Sequence, residues 1–301
     1  MSSRTPDKLV VVGTGLIGGS FALAQKEAGA VGTVVGVGRG RANLELAQRR
    51  AVVDRAYTLD DDWAAELADA DLVLVATPVG EMPTLFAAMA PHLGAATIVT
   101  DAGSTKQDVI AAARSALGRA FPRFVPAHPI AGSERSGAAA ASSTLFRDRP
   151  VVLTPVSETD AAAVERVREW WTRCGGVVSL LDAGRHDAIL SAVSHLPHVL
   201  AFALIAELGA RGDAGDCWRL AGTGLRDFTR LAGSHPDMWR DICMANGARL
   251  RADLAAYREQ LDRIDAMLAA EDAAALGGLF ARAREVREAW LANLPGNDGG
   301  Q

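Results

Sequence analysis

The first half of the chain alternates compact apolar or β-branched runs with longer Ala-rich stretches. The runs at 9–12, 33–37, 72–76, 97–100 and 124–127 read as buried strands, and the stretches between them suit helices. That alternation predicts βαβ units, and therefore a parallel sheet covered by helices on both faces. Two further strands are expected at 151–154 and 177–180, around a helix near 160–174. After about residue 181 the strand signals stop, and helical patterns run over 187–208 and 236–268. Leu250, Leu254, Tyr257, Leu261, Ile264 and Leu268 recur at alternating spacings of four and three, which places them in one helical stripe. Such a stripe is core or a subunit contact. A last helix is expected near 285–294, and 295–301 reads as a frayed tail. No internal repeat or low-complexity linker interrupts the chain, so two closely packed domains are expected.

Composition narrows the picture. At 301 residues the chain can bury two cores, and 49% hydrophobic with 22% charged residues is ordinary for a globular protein. A formal net charge of -5 argues against non-specific nucleic-acid binding. Cys174, Cys217 and Cys243 have neither metal-ligand nor redox spacing, so they are expected as small apolar residues in a reduced setting, and no metal site is expected. Residues 1–8 lack the apolar run of a signal peptide, and no uninterrupted apolar stretch has the length of a bilayer span. A cytoplasmic protein without membrane association is the expectation.

The first strand runs into Gly13-Thr14-Gly15-Leu16-Ile17-Gly18 and then an Ala-rich helix. In that strand–turn–helix setting G-x-G-x-x-G is a dinucleotide-binding turn. Gly13 allows the turn, Gly15 the approach of a pyrophosphate, and Gly18 the packing of helix on strand. The N–H groups at the helix start, from Leu16 and Ile17 onward, face the phosphates. The fold class is thus an α/β Rossmann-type parallel-sheet domain over 1–182, followed by an all-α dimerisation domain over 183–301. An acid that would bind the adenosine ribose of NAD is expected some 20 residues on, but Val37-Gly38-Arg39-Gly40-Arg41 has none. Arg39 and Arg41 could instead pair with a 2′-phosphate, so NADP is expected ahead of NAD. Thr77 and Pro78 follow the third of the predicted strands, at the carboxyl edge of the sheet, where they can line the nicotinamide side.

Four segments combine reactive side chains with loop or helix-end positions: Thr100–Lys106 (TDAGSTK), Ala127–Glu134 (AHPIAGSE), Ser194–His198 (SHLPH) and Gly222–Arg230 (GTGLRDFTR), with Met238-Trp239 beyond. Asp101–Ser104 by itself reads as a helix N-cap turn. In this order the segments resemble the prephenate/arogenate dehydrogenase family of tyrosine biosynthesis, and the resemblance runs from the glycine turn to the Trp239 helix.

The resemblance implies oxidative decarboxylation of a cyclohexadienol carboxylate, with hydride passing to the nicotinamide. It implies that His128 accepts the substrate hydroxyl's hydrogen bond and proton, which suits a neutral imidazole. Pro129 would hold His128 in an extended backbone. By the same resemblance Ser104 orients that histidine, Arg230 pairs with a substrate carboxylate, and His198 and Trp239 contact substrate. Thr223 and Ser133 are expected at the substrate, with Ser133 at a position bearing on prephenate against arogenate. Glu134 is expected in an ionic gate with Arg230. His195, three residues before His198, is expected to support the site, and a homodimer through the helical domain is expected. Two other readings stay open: a β-hydroxyacid or imino-acid reductase, which would call for a helix-borne Lys that the helical half lacks, and a non-catalytic NADP(H)-binding redox sensor.

Overall fold

The computed structural model describes residues 7–132 and 135–293. Strands β1 (Asp7–Val12), β2 (Val31–Gly38), β3 (Arg55–Thr58), β4 (Leu72–Val75), β5 (Ile98–Asp101) and β6 (Phe124–Val125) form one parallel sheet in the order β3-β2-β1-β4-β5-β6. The order reverses between β1 and β4, the place where open α/β sheets hold their ligands.

The period of two along these strands divides the core into two layers. Leu9 and Val11 of β1, with Leu72 and Leu74 of β4, pack on one face with Phe21, Trp170 and Trp171. Val10, Val12, Val73 and Val75 point the other way, onto Met82, Phe86 and Phe124. The first face is covered by α1 (Leu16–Glu27), and Phe21 meets Trp171 edge-on at 4.6 Å. Further helices of this half are α2 (Arg41–Arg49), α3 (Met82–Met89), α4 (Gln107–Ala116) and α5 (Ala161–Arg173), the last capped by the Asp160 carboxylate accepting from Ala162 N–H.

Two expectations need correction. The run at 124–127 is not one strand. Pro126, which has no N–H to give a ladder, separates β6 from β7 (Ala127–Pro129), and β7 belongs to a second sheet. There β7 pairs antiparallel with β8 (Pro150–Leu153), which pairs parallel with β9 (Val177–Leu180). The Pro126 carbonyl accepts from Thr154 N–H and so joins this sheet's edge. The second correction concerns α6 (Ala183–Leu190) and α7 (Leu196–Ala210). They are continuous through a single π turn at Ser191–His195, so Ala183–Ala210 is long and apolar enough to cross a membrane by length and composition. The polar residues scattered along it hide that length in the sequence. Four of them, His186, Asp187, Ser191 and His195, are buried in the protein.

The remaining helices are α8 (Ala214–Leu220), α9 (Thr223–Thr229), α10 (Pro236–Ala245), α11 (Gly247–Ala269) and α12 (Ala273–Ala292). The chain forms two compact units, Met1–Leu250 and Arg251–Gln301. The second unit consists of the rest of α11 and α12, which has no buried residue. In the predicted stripe Leu250 is buried, Leu254, Tyr257 and Ile264 are half-buried, and Leu261 and Leu268 are exposed.

Candidate active site

A cleft of about 1050 Å³ opens at the carboxyl edge of the large sheet. Its floor is the turn between β1 and α1. Gly13 sits at φ +102, and a Cβ there would lie 2.4 Å from the Ala76 carbonyl oxygen. Gly15 has no neighbour within 4 Å of a Cβ, so its backbone is open to a ligand, and no side chain caps the start of α1. Gly18 faces inward instead, where a Cβ would lie 2.1 Å from Gly13 O. Leu16 and Ile17 line the cleft, as do Thr77 and Pro78. The buried Thr77 Oγ1 has no hydrogen-bond partner among the described residues. An uncapped helix start, an open glycine backbone and an orphaned hydroxyl fit a dinucleotide, with phosphates at α1 and the nicotinamide toward Thr77.

At the end of β2, Arg39 lines the cleft and pairs with Glu81 at 2.6 Å. Arg41 is not part of the lining and lies 3.9 Å from Asp61. The expected pair of arginines is therefore one arginine, because α2 begins at Arg41 and carries its side chain away from the cleft wall.

The structure brings most of the predicted substrate residues to the same cleft. Ser104, His128, His198, Arg230 and Trp239 all line it. His128 stands on β7 opposite Val152, in the extended backbone expected before Pro129. His198 stacks on Trp239 at 3.5 Å between ring centroids, and its Nδ1–H donates to the Ser194 carbonyl at 2.8 Å. Burial lowers the His198 pKa, the carbonyl bond partly opposes this, and the Arg230 charge lowers it further. The neutral ring thus has a bare Nε2. Arg230 makes no ion pair among the described residues. The buried Trp239 Nε1–H likewise has no partner among them. His195 is buried behind this pair, with its Nδ1 3.3 Å from Asn246 Nδ2 and its ring edge-on to Trp239. Thr223, exposed at the start of α9, is not in the cleft lining, which takes up Arg230 just beyond the other end of that helix. Ser133 and Glu134 lie outside the described residues.

Three functional-site neighbours were not found by sequence reasoning. His128 Nδ1 lies 2.9 Å from Nε2 of the fully buried His186, whose Nδ1 lies 2.8 Å from Asp187 Oδ1. The Asp187 carboxylate also accepts the backbone N–H groups of Lys106 and Gln107, each at 2.9 Å. It therefore caps α4 from 80 residues away, and the Asp101–Ser104 turn does not. Burial alone would raise the Asp187 pKa, but these donors hold it below the ordinary carboxylate value. Lys106 is fully buried, with its Nζ donating to Asp101 Oδ2 and, at 2.7 Å, to the Ala127 carbonyl. Asp101 accepts in turn from Ala127 N–H at 3.1 Å and Gly103 N–H at 2.7 Å. The buried ion pair thus clamps both backbone groups of the residue before His128. One signal was present: five of the six histidines, all but His92, stand in or directly behind this cleft.

His128 is held well below the ordinary histidine pKa, first by burial and then by His186, Lys106 and His195. At neutral pH it is a neutral imidazole, able to accept a proton. A proton acceptor, a guanidinium without an ion pair among the described residues and an uncapped helix start share one cleft.

The comparisons agree with this geometry. Residues 21–180 match the family described as prephenate dehydrogenase, nucleotide-binding domain, and residues 182–282 match prephenate dehydrogenase, dimerization domain. A cyclohexadienyl dehydrogenase of Zymomonas mobilis is 34% identical, over 88% of this chain and 89% of the relative. A prephenate dehydrogenase of Bacillus subtilis is 33% identical, over 95% of this chain and 76% of the relative. Among solved structures, the Aquifex aeolicus prephenate dehydrogenase in complex with hydroxyphenyl propionate and NAD+ has TM-score 0.87 at 30% identity, covering 95% of this chain and 99% of that one. Synechocystis arogenate dehydrogenase has TM-score 0.77 at 28% identity, covering 94% and 99%. The chain belongs to the prephenate dehydrogenase family.

Proposed function

We propose that this protein catalyses oxidative decarboxylation of prephenate, of its amino counterpart arogenate, or of both, with a nicotinamide dinucleotide as oxidant. The observation that carries the proposal is the meeting of neutral His128 and of Arg230, which has no ion pair among the described residues, in the cleft floored by the glycine turn.

In this reading Arg230 fixes a substrate carboxylate through its planar fork, and Trp239 Nε1–H and His198 line the substrate's side. The substrate hydroxyl donates to His128. A nicotinamide bound toward Thr77 would supply the hydride acceptor for the ring carbon that carries this hydroxyl. His128 holds the hydroxyl proton while the carbon–carbon bond to the ring carboxylate breaks and CO₂ leaves. The electrons of that bond complete the aromatic ring, and His128 returns the proton to the phenol oxygen. Ser104, at the cleft wall beside His128, makes no hydrogen bond among the described residues, and its hydroxyl is available to the same substrate oxygen. The protein mainly orients the ring and polarises one hydroxyl, since aromatisation drives the rest.

NADP is proposed ahead of NAD, supported by Gly38 where an acid would bind the ribose and by Arg39 at the cleft edge. We also propose a homodimer, and a division of the chain near residue 182. Assays crossing prephenate and arogenate with NAD and NADP test the whole reading, because reduced nicotinamide is followed directly by absorbance. Absence of turnover in all four combinations would reject it. Arg39→Ala should weaken NADP more than NAD, and equal weakening would reject the NADP preference.

A further inference from the structure

The chain of contacts His128–His186–Asp187 determines where the protons of His128 sit. Asp187 can only accept, because its carboxylate is held ionised by His186 and by the two backbone N–H groups at the start of α4. Nδ1 of His186 must therefore carry a hydrogen. With that hydrogen as its one ring proton, His186 has a bare Nε2, and the group facing it among the described residues, at 2.9 Å, is Nδ1 of His128. That nitrogen must in turn be the donor.

We propose that His186, fixed by Asp187, is a positioning residue that sets the tautomer of His128, committing Nδ1–H to the interior and leaving Nε2 as the proton acceptor in the cleft. The inference rests on the proposed reaction for its catalytic consequence, but the tautomer itself does not. When the substrate hydroxyl gives its proton to Nε2, His128 becomes an imidazolium whose Nδ1–H already points at a bare nitrogen. The positive charge then spreads along a hydrogen-bonded line that ends on the Asp187 carboxylate. The proton on Nε2 returns to the phenol oxygen as the ring aromatises, so the line is restored without net proton loss. Without His186 the neutral ring of His128 would be free to place its hydrogen on Nε2, where it cannot accept. In serine hydrolase triads the loss of the orienting acid, which leaves the wrong tautomer, costs about four orders of magnitude in kcat. Other titratable groups facing the line are Lys106, paired with Asp101, and His195, both beside His128, and Asp108 beside Asp187.

The test begins with the wild-type protein, uniformly labelled with ¹⁵N-histidine and without substrate. Long-range ¹H–¹⁵N correlations at pH 7.5 should show both His128 and His186 as the Nδ1–H tautomer, and Nε2–H at His128 would overturn the proposal. With substrate, His186→Leu should lower kcat about a hundredfold or more while KM changes less than about threefold. His186→Gln, whose amide oxygen can accept from His128 Nδ1–H, should restore kcat to within about tenfold of wild type. Unchanged kcat in His186→Leu, or no recovery in a folded His186→Gln, would also overturn it. If His186→Leu fails to fold, the wild-type tautomer and the Gln variant decide. An Nδ1–H tautomer in a protein that oxidises neither prephenate nor arogenate would reject the proposed reaction and leave the tautomer assignment standing.

Discussion

At the scale of single residues, the cleft works through charge state. His128 is kept neutral first by burial, with the Lys106 charge adding to it, so it can act as a base in acid where an ordinary histidine cannot. The acid limb of kcat/KM should therefore lie below the ordinary value of 6.5, and a limb above 6.5 would contradict the assignment. The sign for stability follows from the same depression. Below pH 6.5 the unfolded chain binds a proton at His128 that the folded chain refuses, so acid weakens the fold there. In the proposed reaction Arg230 has the opposite task, since it needs an anion to pair with. Arg230→Ala should raise KM for substrate about ten- to a hundredfold with kcat largely spared, as expected for one charge-assisted contact. An unchanged KM in steady-state assays would move that role elsewhere. His128, Ser104, His198, Arg230 and Trp239 were legible in the sequence because each sits in a short motif. His186 was not, because its meaning depends on a ring 58 positions away that no local pattern reports.

Among the elements, the link between β5, β7 and α4 matters most for the site. Lys106 is one of only three lysines, it is wholly buried, and it ties the end of β5 to the backbone beside His128. Lys106→Met would leave Asp101 buried without its counter-ion, and unfolding in urea should show a loss of about 3–5 kcal/mol. A loss under 1 kcal/mol would show that the backbone donors alone satisfy Asp101. The strands of the large sheet were readable because buried parallel strands are short apolar runs. β3 was missed because Arg55-Ala56-Tyr57-Thr58 is short, half-exposed and polar, and pairs only along its β2 side. The break at Pro126 was missed because it leaves the apolar run intact while changing its partner.

At the scale of the whole molecule, apolar surface is left over. α7 buries only Ala201, and large apolar side chains stand exposed from Val193 through Trp218, Leu220, Phe228 and Met244 to Phe280 and Trp290. Surface of that character calls for a cover, and a second copy of the chain is the proposed one. Sedimentation should give twice the mass of one chain, and the melting temperature should rise with protein concentration. A monomer at micromolar concentration would refute this. The helical stripe from Leu250 to Leu268 reads in the sequence as core or a subunit contact, because periodicity cannot distinguish a face closed by its own chain from one awaiting another.

The π turn at Ser191–His195 is one residue wider than the α-helix on either side of it. It can be viewed as a single-codon insertion that the helix absorbed as a bulge. Deleting the exposed Val193 would let α6 and α7 join as one regular helix, with the residues beyond the join keeping the faces they now present. The His198 ring would stay on its indole partner, and what would be lost is the widened turn that carries Ser191 and His195. The phase of α7 is thus independent of the extra residue, which shapes only the backbone of the turn behind the cleft.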